Sequence, residues 1–340
     1  MLVPAVISPA ITTTALFLLD EPFWDDVYGP AERQRLRKWT ASPALFRTKE
    51  TILDRPDDLA DVEVILSGWS MPRCDEVFLS HAPRLKAIFY AAGTVRGFVD
   101  DALWERGIVV STSNEALART VADFALGQIL LSLKGTWSHQ AEARTTRRPR
   151  RRSFPGLHGS TVGLVSLGAI SRHLVSLLRH FDLRVIVYDP FLDDARARAL
   201  GVRKVALDEL FREADVVSLH TPQLPETVGM IRGRHFALMK PGASFINTAR
   251  GAIVDEAEMI EALRRRPDLY ALLDVTTTEP TPPDSPLHDL PNILLTPHIA
   301  GPQGTECRRL GAMAVDELER YLTGLPLRGE IRREMLATIA

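Results

Sequence analysis

From residue 161 onward, short apolar and β-branched runs alternate with stretches of helical spacing, and this alternation constrains the fold more than any other feature. The runs cover residues 162–166, 184–188, 215–219, 243–247, 269–275 and 292–296. Helical patterns fill the gaps between them, for example over 170–180 and 255–265. Strands that are apolar on both faces and joined by helices form a parallel sheet with helices on each side. Six of them predict a doubly wound nucleotide-binding domain. The first third shows the same alternation less regularly, with strand-like runs at 15–19, 62–66, 85–90 and 108–110 and helical spacing at 31–39 and 74–81. A long helical candidate over 115–133, with apolar positions at Leu117, Val121, Phe124, Ala125 and Leu126, joins the two regions. Residues 307–322 read as a final amphipathic helix.

A chain of 340 residues has room for two domains. The 41 Lys+Arg and 43 Asp+Glu leave a formal charge of −2, and 45% of residues are hydrophobic. That balance excludes a disordered or collagen-like chain and argues against a dedicated nucleic-acid binder. Cys74 and Cys307 form neither a metal-binding spacing nor a disulfide framework, which predicts no metal site and a reducing, cytoplasmic setting. Residues 2–19 are apolar but interrupted by Pro4 and Pro9 and lack a basic start, so no signal peptide is expected. No unbroken apolar run of about 18 residues occurs, so no membrane span is expected. Residues 144–152 hold six Arg. Such a run could contact nucleic acid, but in a chain otherwise not basic a solvated surface loop is the plainer reading.

The first strand of the regular region leads through Ser166-Leu-Gly168-Ala169-Ile170-Ser171 into a helix. This is where a dinucleotide fingerprint G-x-G-x-x-G belongs, and only its middle glycine is present. That glycine lets a pyrophosphate approach the backbone, and the helix N-terminus offers free N–H groups to the phosphates. Ser166 must accept a turn that glycine makes without strain, and Ser171 adds bulk where the helix packs on the strand. Asp189 stands 21 residues after Gly168, at the tip of the next strand, where a carboxylate accepts hydrogen bonds from adenosine ribose hydroxyls. It would repel a 2′-phosphate, and residues 190–194 supply no cation to hold one, so NAD is expected over NADP.

Three later segments place an ionisable residue just past a predicted strand: Asn247-Thr-Ala-Arg250-Gly251, Leu273-Asp274 through Glu279-Pro280, and Thr296-Pro-His298. Ligands bind at that edge of an open α/β sheet. With Val254-Asp-Glu256, Leu219-His-Thr-Pro222, Pro225-Glu-Thr227, Met239-Lys-Pro-Gly242 and Ala92-Gly-Thr-Val-Arg96, these motifs stand in the order and spacing of one family. From about Ala15 to Leu327 the chain resembles the D-isomer-specific 2-hydroxyacid dehydrogenases. The separations of 29 residues from Arg250 to Glu279 and 19 from Glu279 to His298 suit that family.

The resemblance implies a role for each residue. His298 would be the general acid for reduction and the base for oxidation. Glu279 would hold its ring and favour the imidazolium. Arg250 would grip the substrate carboxylate with a planar, bidentate donor. Backbone N–H groups of Gly93, Thr94 and Val95 would bind the carboxylate's other side. Asp274 would bond the nicotinamide amide, and Thr221, Thr227 and Thr248 would line the cofactor cleft beside Gly168, Ala169, Ile170, Asp189 and His298. Hydride would pass between NAD and C2 of a small 2-oxo or 2-hydroxy acid. Glu279 argues against formate oxidation, where that branch has a neutral amide. Arg96 could suit a second anionic group or point to water.

The chain departs from the family at Ser166, at Ser171, at Asp123, where Glu is usual, and at Leu117, where many members have Asn. These changes bear on cofactor affinity more than on chemistry. The expected fold is α/β: two doubly wound parallel-sheet domains, with a Rossmann-type NAD-binding domain over 115–302. A smaller flavodoxin-like substrate domain comprises 1–114 and 303–340. The resemblance implies an active-site cleft between them, crossings near 114 and 302 that act as hinges, and a homodimer contact through helix 115–133. A non-catalytic NAD(H)-responsive binding protein of the same fold is the alternative.

Overall fold

The computed structural model describes residues 13–40 and 45–339. Residues 2–12, weighed above as part of a leader, lie outside the described residues. The chain divides into two compact units, Met1–Leu117 with Pro302–Ala340 and Ala118–Gly301. The sequence predicts crossings near 114 and 302.

The first unit is built on five parallel strands: β1 (Ala15–Leu18), β2 (Leu45–Arg47), β3 (Val64–Ser67), β4 (Ala87–Tyr90) and β5 (Val109–Thr112). Their spatial order is β5-β4-β3-β1-β2. β1, β3 and β4 are buried along their whole length, which is why they read as continuous apolar runs. This is the flavodoxin-like order, with its switch point between β1 and β3. The helix Arg308–Leu322 returns from the end of the chain and buries Leu310, Ala314, Val315 and Leu318 against Phe17, Val27 and Phe89.

The second unit carries β6 (Thr161–Val165), β7 (Arg184–Tyr188), β8 (Arg203–Lys204), β9 (Val216–Leu219), β10 (Ser244–Asn247), β11 (Tyr270–Leu273) and β12 (Ile293–Leu295), all parallel. The order is β12-β11-β10-β9-β6-β7-β8. Seven strands stand where six were expected, because β8 is a two-residue edge strand that carries no apolar run. Order reverses between β6 and β9, and the carboxyl ends of those two strands define the crevice. Gly163 in β6 lets the helix Leu207–Glu213 approach, since a Cβ there would stand 2.6 Å from Leu210.

The helix Asn114–Leu133 is long and apolar enough to cross a bilayer by length and composition. In the structure Ala122, Ala125, Ile129 and Leu133 instead join the core of the second unit. The Arg-rich run is only partly a loop. Arg144 lies in the last turn of the helix Thr136–Thr146, and the residues from Arg147 to Arg152 follow it, all exposed. Arg152 reaches back to Glu142 at 3.3 Å and Ser138 at 2.6 Å.

His220, one residue past β9, is buried with Nε2 2.9 Å from the Ser218 hydroxyl and Nδ1 unpaired. Burial pushes its pKa down from 6.5 to about 4. The unfolded imidazole therefore takes up a proton before the native one does. Stability is complete above pH 6.5 and falls as pH drops towards 4, by on the order of 3 kcal/mol. Urea unfolding near neutral pH and near pH 4 should show most of this loss absent in His220→Asn. An equal loss in both proteins would contradict it.

Candidate active site

The fingerprint turn follows β6. Ser166 has φ of 76°, a left-handed conformation that costs a residue with a Cβ about 1 kcal/mol. Its N–H donates to the Tyr188 carbonyl at 2.7 Å. The buried Ser171 hydroxyl donates to the Ser166 carbonyl at 2.7 Å. The two serines that replace glycines are thus partners: Ser171 brings a hydrogen bond to the turn, and its bulk is accommodated. At Gly168 nothing lies within 4 Å of where a Cβ would stand, and the helix Ala169–Leu178 starts at the next residue.

Asp189 follows β7 directly. Its carboxylate accepts from the N–H of Leu167 at 2.8 Å and of Phe191 at 2.8 Å. Oδ2 also accepts from the Ser166 hydroxyl at 3.4 Å, which leaves Oδ1 with a lone pair for a ribose hydroxyl. Past β9, the Thr221 hydroxyl lies 3.4 Å from the Val165 carbonyl. Past β10, the buried Thr248 hydroxyl has no protein partner. Open space at Gly168, a helix N-terminus, a fixed carboxylate at the second strand tip and an orphaned hydroxyl fit a dinucleotide. Thr227 is less suited to that role. Its hydroxyl accepts from Leu224 N–H at 2.8 Å and donates to the Pro222 carbonyl at 2.7 Å, holding its own loop together.

His298 and Glu279 meet. Nδ1 of His298 lies 2.7 Å from Oε2 of Glu279. A carboxylate accepts only, so it fixes the proton on Nδ1 and leaves Nε2 for exchange. His298 has φ of 55°, which needs support from its surroundings. Asp274, buried just past β11, supplies it. Its carboxylate accepts from the Thr296 hydroxyl at 2.5 Å, the Ile299 N–H at 2.9 Å and the Ala300 N–H at 2.8 Å. Its carbonyl accepts the His298 N–H at 2.9 Å. The sequence predicts Asp274 at the nicotinamide amide; here its carboxylate holds the turn that carries His298.

Arg250 stands on the turn after β10. Asn247 shapes that turn, its Nδ2 donating to the Arg250 carbonyl at 3.1 Å and its Oδ1 accepting the Ala249 N–H at 2.9 Å. Burial pushes the Arg250 pKa down, and the nearby Glu279 charge opposes that shift. Its guanidinium donates to the Ala249 carbonyl at 2.6 Å and has no ion-pair partner among the described residues. Gly251 brings the Arg250 segment against the segment leading to Glu279: a Cβ there would overlap the Thr276 carbonyl and the Thr277 nitrogen. Gly251→Ala should therefore separate the two segments, weakening any turnover by about a hundredfold while leaving the β6 turn intact. Turnover within twofold of wild type would contradict this.

In the first unit, Gly93, Thr94 and Val95 follow β4. None of their N–H groups is bonded to a protein acceptor among the described residues. Arg96 is not free for a second anion, as its guanidinium donates to the carbonyls of Leu336 and Ile339. Both cysteines are buried free thiols, and burial raises their pKa values. The residues that sequence reasoning passed over are Asn247 and Gly251. Both lie in the motif that pointed to Arg250, so their presence was legible and their task was not.

Residues 126–300 match the family model described as D-isomer specific 2-hydroxyacid dehydrogenase, NAD binding domain. The chain is similar to the D-3-phosphoglycerate dehydrogenase of Methanocaldococcus jannaschii, 33% identical over 280 residues that cover 82% of this chain and 52% of that protein. It is similar to the glyoxylate reductase of Korarchaeum cryptofilum, 31% identical over 82% of this chain and 84% of that protein. Its structure resembles the apo form of D-mandelate dehydrogenase from Rhodotorula graminis, with a TM-score of 0.76, 27% identity, and coverage of 94% of this chain and 98% of that one. The chain spans about half the length of the phosphoglycerate dehydrogenases it matches.

Proposed function

We propose a reaction for this chain, which belongs to the D-isomer-specific 2-hydroxyacid dehydrogenase family: reduction of a small 2-oxo acid, such as glyoxylate, hydroxypyruvate or pyruvate, to the 2-hydroxy acid, the D isomer wherever C2 becomes chiral, with NADH as reductant. The observation that carries this reading is the 2.7 Å contact between His298 and Glu279. It is a general acid with its orienting carboxylate in place, which a protein that only sensed NAD(H) would not need. The same contact, with Arg250, favours the enzyme over the non-catalytic alternative.

Gly168, Ala169 and Ile170 would hold the pyrophosphate, Asp189 the adenosine ribose, and Thr221, Thr248 and Asp274 the nicotinamide end. NADH, when bound, supplies the hydride. Arg250 binds the substrate carboxylate: a desolvated guanidinium without an anionic partner gains most from a bidentate carboxylate. In the first unit, the N–H groups of Gly93, Thr94 and Val95, unbonded among the described residues, are donors suited to a substrate carboxylate. His298 gives its Nε2 proton to the carbonyl oxygen as the hydroxyl forms, and takes it back in the oxidation. Glu279 holds the ring through Nδ1 and keeps Nε2 available for that transfer.

The test is NADH consumption with a panel of 2-oxo acids, repeated with NADPH. Turnover of at least one acid, faster with NADH, supports the reading. Tight NADH binding without turnover of any acid would replace it with the sensing alternative.

A further inference from the structure

We propose that residues 332–339 form a clasp that positions the 93–99 loop for substrate, acting through Arg96. The inference rests on the reading that Gly93, Thr94 and Val95 bind the substrate carboxylate. Underneath, the loop is anchored by Val95, Phe98 and Val99, which are 0%, 2% and 8% exposed. Its outer side carries Arg96 and Gly97, both exposed, and has no such anchor of its own.

The end of the chain supplies one. Buried Glu317 accepts from the N–H of Arg328 and Gly329, each at 2.9 Å, and from the Ser111 hydroxyl at 2.8 Å. This directs the chain into β13 (Glu330–Ile331), which pairs antiparallel with β5. The segment then crosses to the loop. Leu336 packs on the cluster that holds Val95 and Phe98. Nε of Arg96 donates to the Ile339 carbonyl at 3.0 Å, and Nη2 donates to the Leu336 carbonyl. Arg333 pairs with Asp101, just past the loop, at 2.8 Å. The Nε–Nη2 edge that would grip an anion side-on is thus spent on main-chain carbonyls. Arg96 is a positioning residue: it fixes the N–H groups one to three residues before it without itself touching substrate.

The experiment compares the full chain, a chain ending at Ile331, Arg96→Ala, and the two changes combined. Arg333→Glu is added as a milder release that keeps every residue, with thermal unfolding to show that each variant is folded. Each change should raise KM for the 2-oxo acid about tenfold with kcat and NADH affinity unchanged. The combined variant should be no worse than the truncation alone. Additive losses would show that Arg96 meets substrate directly and would overturn the clasp, as would an unchanged KM. Hydrogen exchange at residues 93–99, measured without substrate, should quicken in every variant. Unchanged exchange there overturns the clasp whether or not the protein reduces any 2-oxo acid. Faster exchange in a protein without turnover would uphold the clasp and fault the reaction instead.

Discussion

His298→Ala lowers kcat for 2-oxo acid reduction by about a thousandfold, on the order of 4 kcal/mol of transition-state stabilisation, and leaves NADH affinity within twofold. The expectation follows from geometry. Nδ1 is committed to Glu279 at 2.7 Å, so Nε2 is the nitrogen that can pass a proton to the carbonyl oxygen. Alanine removes the donor, while Ser166, Gly168 and Asp189 lie on other segments and are untouched. Glu279→Gln should cost less, because an amide oxygen still accepts from Nδ1 and keeps the ring in place. Stopped-flow reduction and NADH titration separate the two effects. Unchanged turnover in His298→Ala would remove the acid–base assignment. A large loss of NADH affinity would mean that the residue serves the cofactor instead.

The second large effect belongs to Arg250. Arg250→Ala should lower kcat/KM for reduction by about a thousandfold, on the order of 4 kcal/mol, since it removes the partner of a desolvated carboxylate. Arg250→Lys should recover only part of this, because an ammonium cannot reproduce the planar fork. Full recovery by lysine would show that charge alone is read. The guanidinium is positioned by a short chain of causes: Asn247 fixes the turn, Gly251 lets it lie against the Thr276 backbone, and burial strips away water. Glu279 offers that guanidinium a nearby charge but no hydrogen bond, so a substrate carboxylate would complete its planar fork.

Much of this was legible because periodicity and order carry it. Parallel strands buried on both faces announce themselves as apolar runs, and β6, β7, β9, β10, β11 and β12 lie within two residues or so of their expected positions. β2, β8 and β13 were not anticipated, being edge strands of two or three residues that bury too little to leave a pattern. The helix Thr136–Thr146 was missed for a similar reason: it is polar, and Ser138 is its one buried residue. Arg250, Glu279 and His298 could be named because their motifs are long. Asp274 is legible as an ionisable residue just past a strand, but its hold on the His298 turn depends on contacts 22 to 26 residues away. Arg96 shows the same limit at greater range. Its partners lie 240 and 243 residues later, and no local pattern could have distinguished a clasp from a surface cation. Ser166 and Ser171 read as two separate departures, and only the structure shows one completing the other.

The central claim is that Arg250, Glu279 and His298 orient and protonate a 2-oxo acid while NADH delivers hydride to one face of its carbonyl. The most direct measurement is the handedness of the product formed from pyruvate or hydroxypyruvate with NADH, resolved by chiral chromatography and set against NADH consumed. The account predicts the D-2-hydroxy acid alone, one molecule for each NADH, and none from His298→Ala. A racemic or L product, or NADH oxidised without hydroxy acid formed, would contradict it.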